Sequence, residues 1–162
     1  MIKKTVLWIL IIACASVIFF FSSQKANDSD KVSSGFIVRI VKILDINKRL
    51  SDSDVVKIAD SMNSIVRVGA HFSIFGLLCF LVALQFNQYG IVRGRLILYS
   101  VTATFLYACS DELHQTFVPG RSAQLSDIIT DTFGALCGAL VAMIIMQAIK
   151  RIRLNRTSEN NL

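Results

Sequence analysis

Between Cys109 and Asp131 the chain reads CSDELHQTFVPGRSAQLSDIITD. Four acids, a histidine, an arginine and the only proline of the sequence stand here between two apolar runs. On a helix turning about 100° per residue, Ser100, Thr104, Ala108, Asp111 and Gln115 share one stripe, flanked by Glu112 and His114. Asp127, Asp131, Gly134 and Gly138 form a second stripe, and Arg67 and His71 stand one turn apart upstream. Together they describe one polar pocket that gathers Arg67, His71, Asp111, Glu112, His114, Gln115, Arg121, Asp127 and Asp131.

Such a set permits three chemistries. Carboxylates beside a histidine could do acid–base work, with Asp111, Glu112 or His114 as the base. Arg67 and Arg121 could hold a phosphate or carboxylate in a two-pronged grip. Asp, Glu and His could bind a divalent cation, but no recognised metal spacing is present and no metal or cofactor is expected. The sequence contains no G-x-S-x-G, H-E-x-x-H or P-loop. Each residue also has a plainer role. Asp127 suits a helix cap, Arg121 a counter-ion for Asp111 or Glu112, His71 a packing position, and Glu112 a rim charge. Asp131 is different, because a charge inside an apolar span costs free energy and needs a partner. Val118-Pro119-Gly120-Arg121 suits a type II turn that folds Arg121 back over the helix ends. Arg121 is therefore the expected partner of Asp131, with Gln115 and His114 as neutral alternatives.

The elements that must position these groups are greasy. The chain has 162 residues and is 54% hydrophobic. Crossing ~30 Å of hydrocarbon takes about 20 apolar residues in a helix. Runs at 5–21, 68–86, 96–115 and 128–149 fit that need, the third only if its helix continues through Gln115. The expectation is an all-α membrane protein: one domain over 1–162 with four transmembrane helices, an outer loop at 22–67 and a tail at 150–162. Lys3 and Lys4 would suit a signal peptide, but no A-x-A-like site follows. The run also continues as SVIFFF past the lipoprotein-like IIAC, so a retained anchor is expected.

Four spans put both termini on one side. Lys3, Lys4, Arg93, Arg95, Lys150, Arg151, Arg153 and Arg156 lie there against Glu159, a surplus of seven. The other side carries a deficit of one, and together they give the formal +6. Basic loops stay cytoplasmic, so both termini face the cytoplasm, the polar pocket faces outward, and the plasma membrane is the expected location. The basic balance follows from topology, and no nucleic-acid partner is implied. The cytoplasmic halves of the spans read as uniformly apolar, which argues against a carrier or channel.

The outer loop carries two amphipathic patterns, Phe36, Ile37, Ile40, Val41 and Leu44, then Val55, Ile58, Ala59, Met62, Ile65 and Val66, the second expected to lead into the span at 68–86. They describe either helices on the outer leaflet or a lid on the bundle's own rim. NDSD and LSDSD read as turns or caps. The G-x-x-x-G at Gly134–Gly138 permits close helix packing, within the monomer or in a dimer. Cys14, Cys79, Cys109 and Cys137 read as small buried hydrophobes.

FSSQ at Phe21–Gln24, RVGAHF at Arg67–Phe72 and SDELHQTFVPGRSAQLSDIITDTFGALCG at Ser110–Gly138 resemble the VanZ-like membrane proteins over nearly the whole chain. The family pattern falls on His71, Asp111, Glu112, His114, Gln115, Pro119, Gly120, Arg121, Asp127, Asp131 and Gly134. Many members carry an acid where this chain has Ile74, and often a Tyr where it has Phe75. The family takes its name from a protein of glycopeptide-resistance clusters that lowers susceptibility to teicoplanin. The resemblance implies a cell-envelope role without an established reaction. Two functions follow as expectations. One is binding of a lipid-linked or amphiphilic ligand, such as a lipoglycopeptide or a cell-wall precursor. The other is a membrane-embedded enzyme acting on a lipid-linked phosphate.

Overall fold

The computed structural model describes residues 2–45 and 51–159. Five helices follow one another: α1 Ile2–Ser22, α2 Ala26–Leu44, α3 Asp52–Asn87, α4 Gly94–Gln115 and α5 Leu125–Glu159. No strand occurs among the described residues. Three stretches are long and apolar enough to cross a membrane: Lys4–Ser22, Asp52–Asn87 and Leu125–Thr157. The expected span at 96–115 lies in α4, which is not among them. The cause is in its sequence, where Ser100, Thr104, Ser110, Asp111 and Glu112 dilute the apolar run.

α3 is the hub and touches each of the other four helices. Its 36 residues make a rod of about 54 Å. The second amphipathic pattern, Val55 to Val66, is thus the first half of the helix that carries His71. No proline interrupts it, so nothing stops the helix between the two. Ser51 starts it with a capping box: its hydroxyl accepts the Asp54 amide, while Asp54 accepts the Ser51 amide. LSDSD therefore caps a helix, whereas Asn27–Asp30 lies inside α2. α2 lays the buried Ile37 near α3's buried Val55 and Ala59 and leaves Phe36, Ile43 and Leu44 exposed.

Small residues let α3 and α5 approach closely. A methyl at Gly134 would collide with the Phe72 carbonyl, and one at Gly138 with the Gly76 carbonyl. The G-x-x-x-G of α5 therefore packs within the chain, against α3. Ala135, Ala139 and Ala142 continue the same buried stripe. Ile11, Cys14 and Ile18 of α1 pack with Phe75 and Leu78 of α3 and Ala108 of α4. Many large apolar side chains remain exposed, among them Ile12, Phe20, Leu106, Phe133 and Ile144. A lipid environment accounts for this surface, which water would penalise.

The turn before α5 forms as its residues dictate. Gly120 has φ 80°, and the Arg121 amide donates to the Val118 carbonyl at 3.1 Å. That is the positive third-position φ of a type II turn.

Candidate functional site

The polar residues separate into a closed network and an open pair. The closed network joins the C-terminal ends of α1 and α4. Ser22 donates its hydroxyl to Asp111 Oδ2 at 2.7 Å, and Gln115 Nε2 donates to the same oxygen at 3.0 Å. Arg121 then gives Nη1 to Gln115 Oε1 at 3.1 Å, Nε to the Gln24 carbonyl at 2.9 Å and Nη2 to the Phe21 carbonyl at 3.3 Å. A helix end leaves its last carbonyls without partners, and the planar guanidinium fork matches them geometrically. His114 joins the same network, stacking on Phe19 at 4.5 Å between ring centres with Nε2 3.1 Å from the Ser23 hydroxyl. Tyr107 fastens α4 to α1 lower down by donating to the Ala15 carbonyl at 2.7 Å.

Glu112 faces the other way. Its Oε2 accepts the amide of Gln124, the residue just before α5, at 2.8 Å. One carboxylate thereby fixes where α5 begins, and so where Asp131 lies one and a half turns further on.

The open pair is His71 and Asp131. His71 Nδ1 lies 3.5 Å from Asp131 Oδ1, with the histidine side chain 21% exposed and the aspartate 0%. The contact does not align as a hydrogen bond, for neither Nδ1 nor either Asp131 oxygen has a hydrogen-bond partner. This corrects the expectation that Arg121 would compensate Asp131. Arg121 is drawn instead to the end of α1, and the α3–α5 glycine contact brings His71 across to the acid. Phe75, fully buried, stacks under His71 with ring centres 6.3 Å apart. Arg67, His71 and Asp127 meet around a small cleft, with Val68 and Thr130.

Asp111, His114, Gln115 and Arg121 thus meet at the ends of α1 and α4, Glu112 reaches the start of α5, and Arg67, His71, Asp127 and Asp131 lie between α3 and α5. Among the described residues, no three His, Cys, Asp or Glu side chains are grouped to hold a metal.

A groove of about 370 Å³ runs between α1 and α3. Val17, Ile18, Ile74 and Leu77 line it with hydrocarbon, while Ser22 and His71 give it a polar end. His71 also borders the small cleft with Arg67 and Asp127, so it stands between the two.

Two features escape sequence reasoning. Ser22 belongs to the FSSQ stretch, but its bond to Asp111 joins residues 89 apart and no local spacing reveals it. Gln85 is fully buried in α3 with both amide atoms unpartnered. The half of that helix expected to face the cytoplasm is therefore not uniformly apolar. The signal was available, since Gln85 follows His71 by two heptads and so shares its face.

Among known protein families, the one described as VanZ/LLP1 matches residues 7–146. No curated protein and no solved structure matches the chain.

Proposed function

Since this chain belongs to the VanZ/LLP1 family, we propose that it is a single-domain, multi-pass protein of the plasma membrane that binds an amphiphilic ligand from the outer leaflet. The observation that carries this is the groove between α1 and α3, walled mostly by hydrocarbon and polar at Ser22, His71 and Ser73. Such a slot suits an acyl or polyprenyl chain whose head reaches the His71–Asp131 pair. Lipid-linked cell-wall precursors and lipoglycopeptides have that build, and lowered susceptibility to teicoplanin is the phenotype this reading implies.

In this reading α4 is the fourth span. Its 22 residues give about 33 Å, enough for ~30 Å of hydrocarbon. Its polar face is turned inward, with Ser100, Thr104 and Asp111 buried. Its C-terminal end is tied to that of α1, so both ends share one membrane level. The charge asymmetry then sets both termini in the cytoplasm. α2 lies on the outer leaflet with Phe36, Ile43 and Leu44 toward lipid. The alternative, an enzyme acting on a lipid-linked phosphate with Arg121 as the anion holder, is less well supported. Arg121 gives its N–H groups to Gln115, Gln24 and Phe21.

Native mass spectrometry of the purified protein, incubated with envelope lipid extract, tests the proposal. Wild type should retain an amphiphile, and Ala70→Phe, which fills the groove from its exposed wall, should lose it. Equal retention by both proteins would overturn the assignment of the groove.

A further inference from the structure

The opposite end of the bundle holds a second recess, larger than the groove and different in charge. It measures about 880 Å³, within the ~300–1,000 Å³ usual for ligand sites. It lies where the C-terminal end of α3 and the start of α4 meet the second half of α5. Arg93, Lys150 and Arg153 line it, and no acidic side chain does. Among the described residues no ion pair joins any of the three to an acid. The rest of the wall is largely hydrocarbon, with Leu96 buried and Met143 and Met146 half-buried along it.

Arg93 also stands apart in its backbone. With φ 56° it is the one non-glycine residue of positive φ among the described residues. It occupies the N-cap of α4, yet its side chain makes no capping hydrogen bond. An arginine in that region is strained, and strain of this kind gathers at ligand clamps. The level of the recess matters as well. From Asp131 to Lys150 is about 29 Å along α5. That is close to the ~30 Å of hydrocarbon in a bilayer. With Asp131 near one interface, the three cations lie among the head groups of the other leaflet, which the charge asymmetry assigns to the cytoplasm.

We propose that this recess holds an anionic phospholipid of that leaflet, its phosphate on Arg93, Lys150 and Arg153 and an acyl chain along Leu96, Met143 and Met146. Three cations without acids call for an anion, and a guanidinium meets a phosphate through two parallel hydrogen bonds. The hydrocarbon wall favours a lipid over a soluble phosphate, and flexible methionines adapt to an irregular chain. Basic recesses between helices on the cytoplasmic side suit anionic head groups for the same reasons. The site shares no lining residue with the α1–α3 groove and stands independently of it.

The test uses the full chain in a neutral detergent and native mass spectrometry. The probes are phosphatidylglycerol and phosphatidylcholine of identical acyl chains, with glycerol 3-phosphate as a soluble competitor. Wild type should retain phosphatidylglycerol about tenfold better than phosphatidylcholine, the scale of one hydrogen bond to a charged group. Arg153→Gln should cut that retention about tenfold. Arg93→Gly removes the guanidinium together with the backbone strain. It should lose the lipid as Arg153→Gln does without lowering Tm, which a folding defect would lower. Arg151→Gln takes the same charge from the same end of α5 outside the recess and should change nothing. Equal retention of the two lipids by wild type, or equal loss in Arg151→Gln and Arg153→Gln, would overturn the site. Displacement of phosphatidylglycerol by equimolar glycerol 3-phosphate would overturn the lipid as its occupant.

Discussion

At the scale of single residues, two acids in one cluster have opposite duties. Asp111 is a structural acceptor bonded to Ser22 and Gln115, while Asp131 is buried beside an imidazole and makes no hydrogen bond. Arg121→Ala should therefore cost stability. It removes hydrogen bonds from a charged donor to Gln115 and to the carbonyls of Phe21 and Gln24, worth about 1.5–3 kcal/mol. Thermal unfolding in detergent should show Tm lower by roughly 3–12 °C. Arg121→Lys should recover only part, because an ammonium does not reproduce the planar fork. Asp131→Asn should do the reverse, leaving Tm near wild type and abolishing any envelope phenotype at matched protein level. Full protection by that variant in a complementation assay would refute a functional role. The cluster itself was legible from D-E-x-x-Q and P-G-R. Its division was not, because which acid meets which donor depends on contacts nearly a hundred residues apart in sequence.

At the scale of elements, the glycines of α5 set the distance on which the His71–Asp131 pair depends. Gly134→Ala drives a methyl into the Phe72 carbonyl, next to His71. The two helices must separate, at about 1–3 kcal/mol for overpacking. Both Tm and ligand retention should fall. Gly69→Ala on α3 meets nothing within 4 Å and should leave both unchanged. Gly76→Ala should lie between, since its methyl would stand 3.0 Å from the Gly134 carbonyl. The G-x-x-x-G was visible in sequence, but its partner was not. One helix face is written locally, whereas the surface it meets follows from the packing of all the others. The continuity of α3 was legible, because the helical spacing of Val55 to Val66 leads into the apolar run at 68–86.

At the scale of the molecule, charge placement and helix length together predict an orientation that can be measured. Reporter fusions at residues 26, 90, 120 and 162 should read out, in, out, in. An inward signal at 120 would turn the pocket to the cytoplasm and remove an outer-leaflet ligand from consideration. The Arg121 fork has a bearing on how such a molecule comes into being. α1 leaves the ribosome first, yet the group that satisfies its last carbonyls is made a hundred residues later. Until then the C-terminal end of the first helix lacks that guanidinium, and its packing against α3 and the surrounding hydrocarbon must hold it. A photo-crosslinker at position 22 of stalled nascent chains should capture lipid while residue 121 is still inside the ribosome. Once that residue has emerged, it should capture α4.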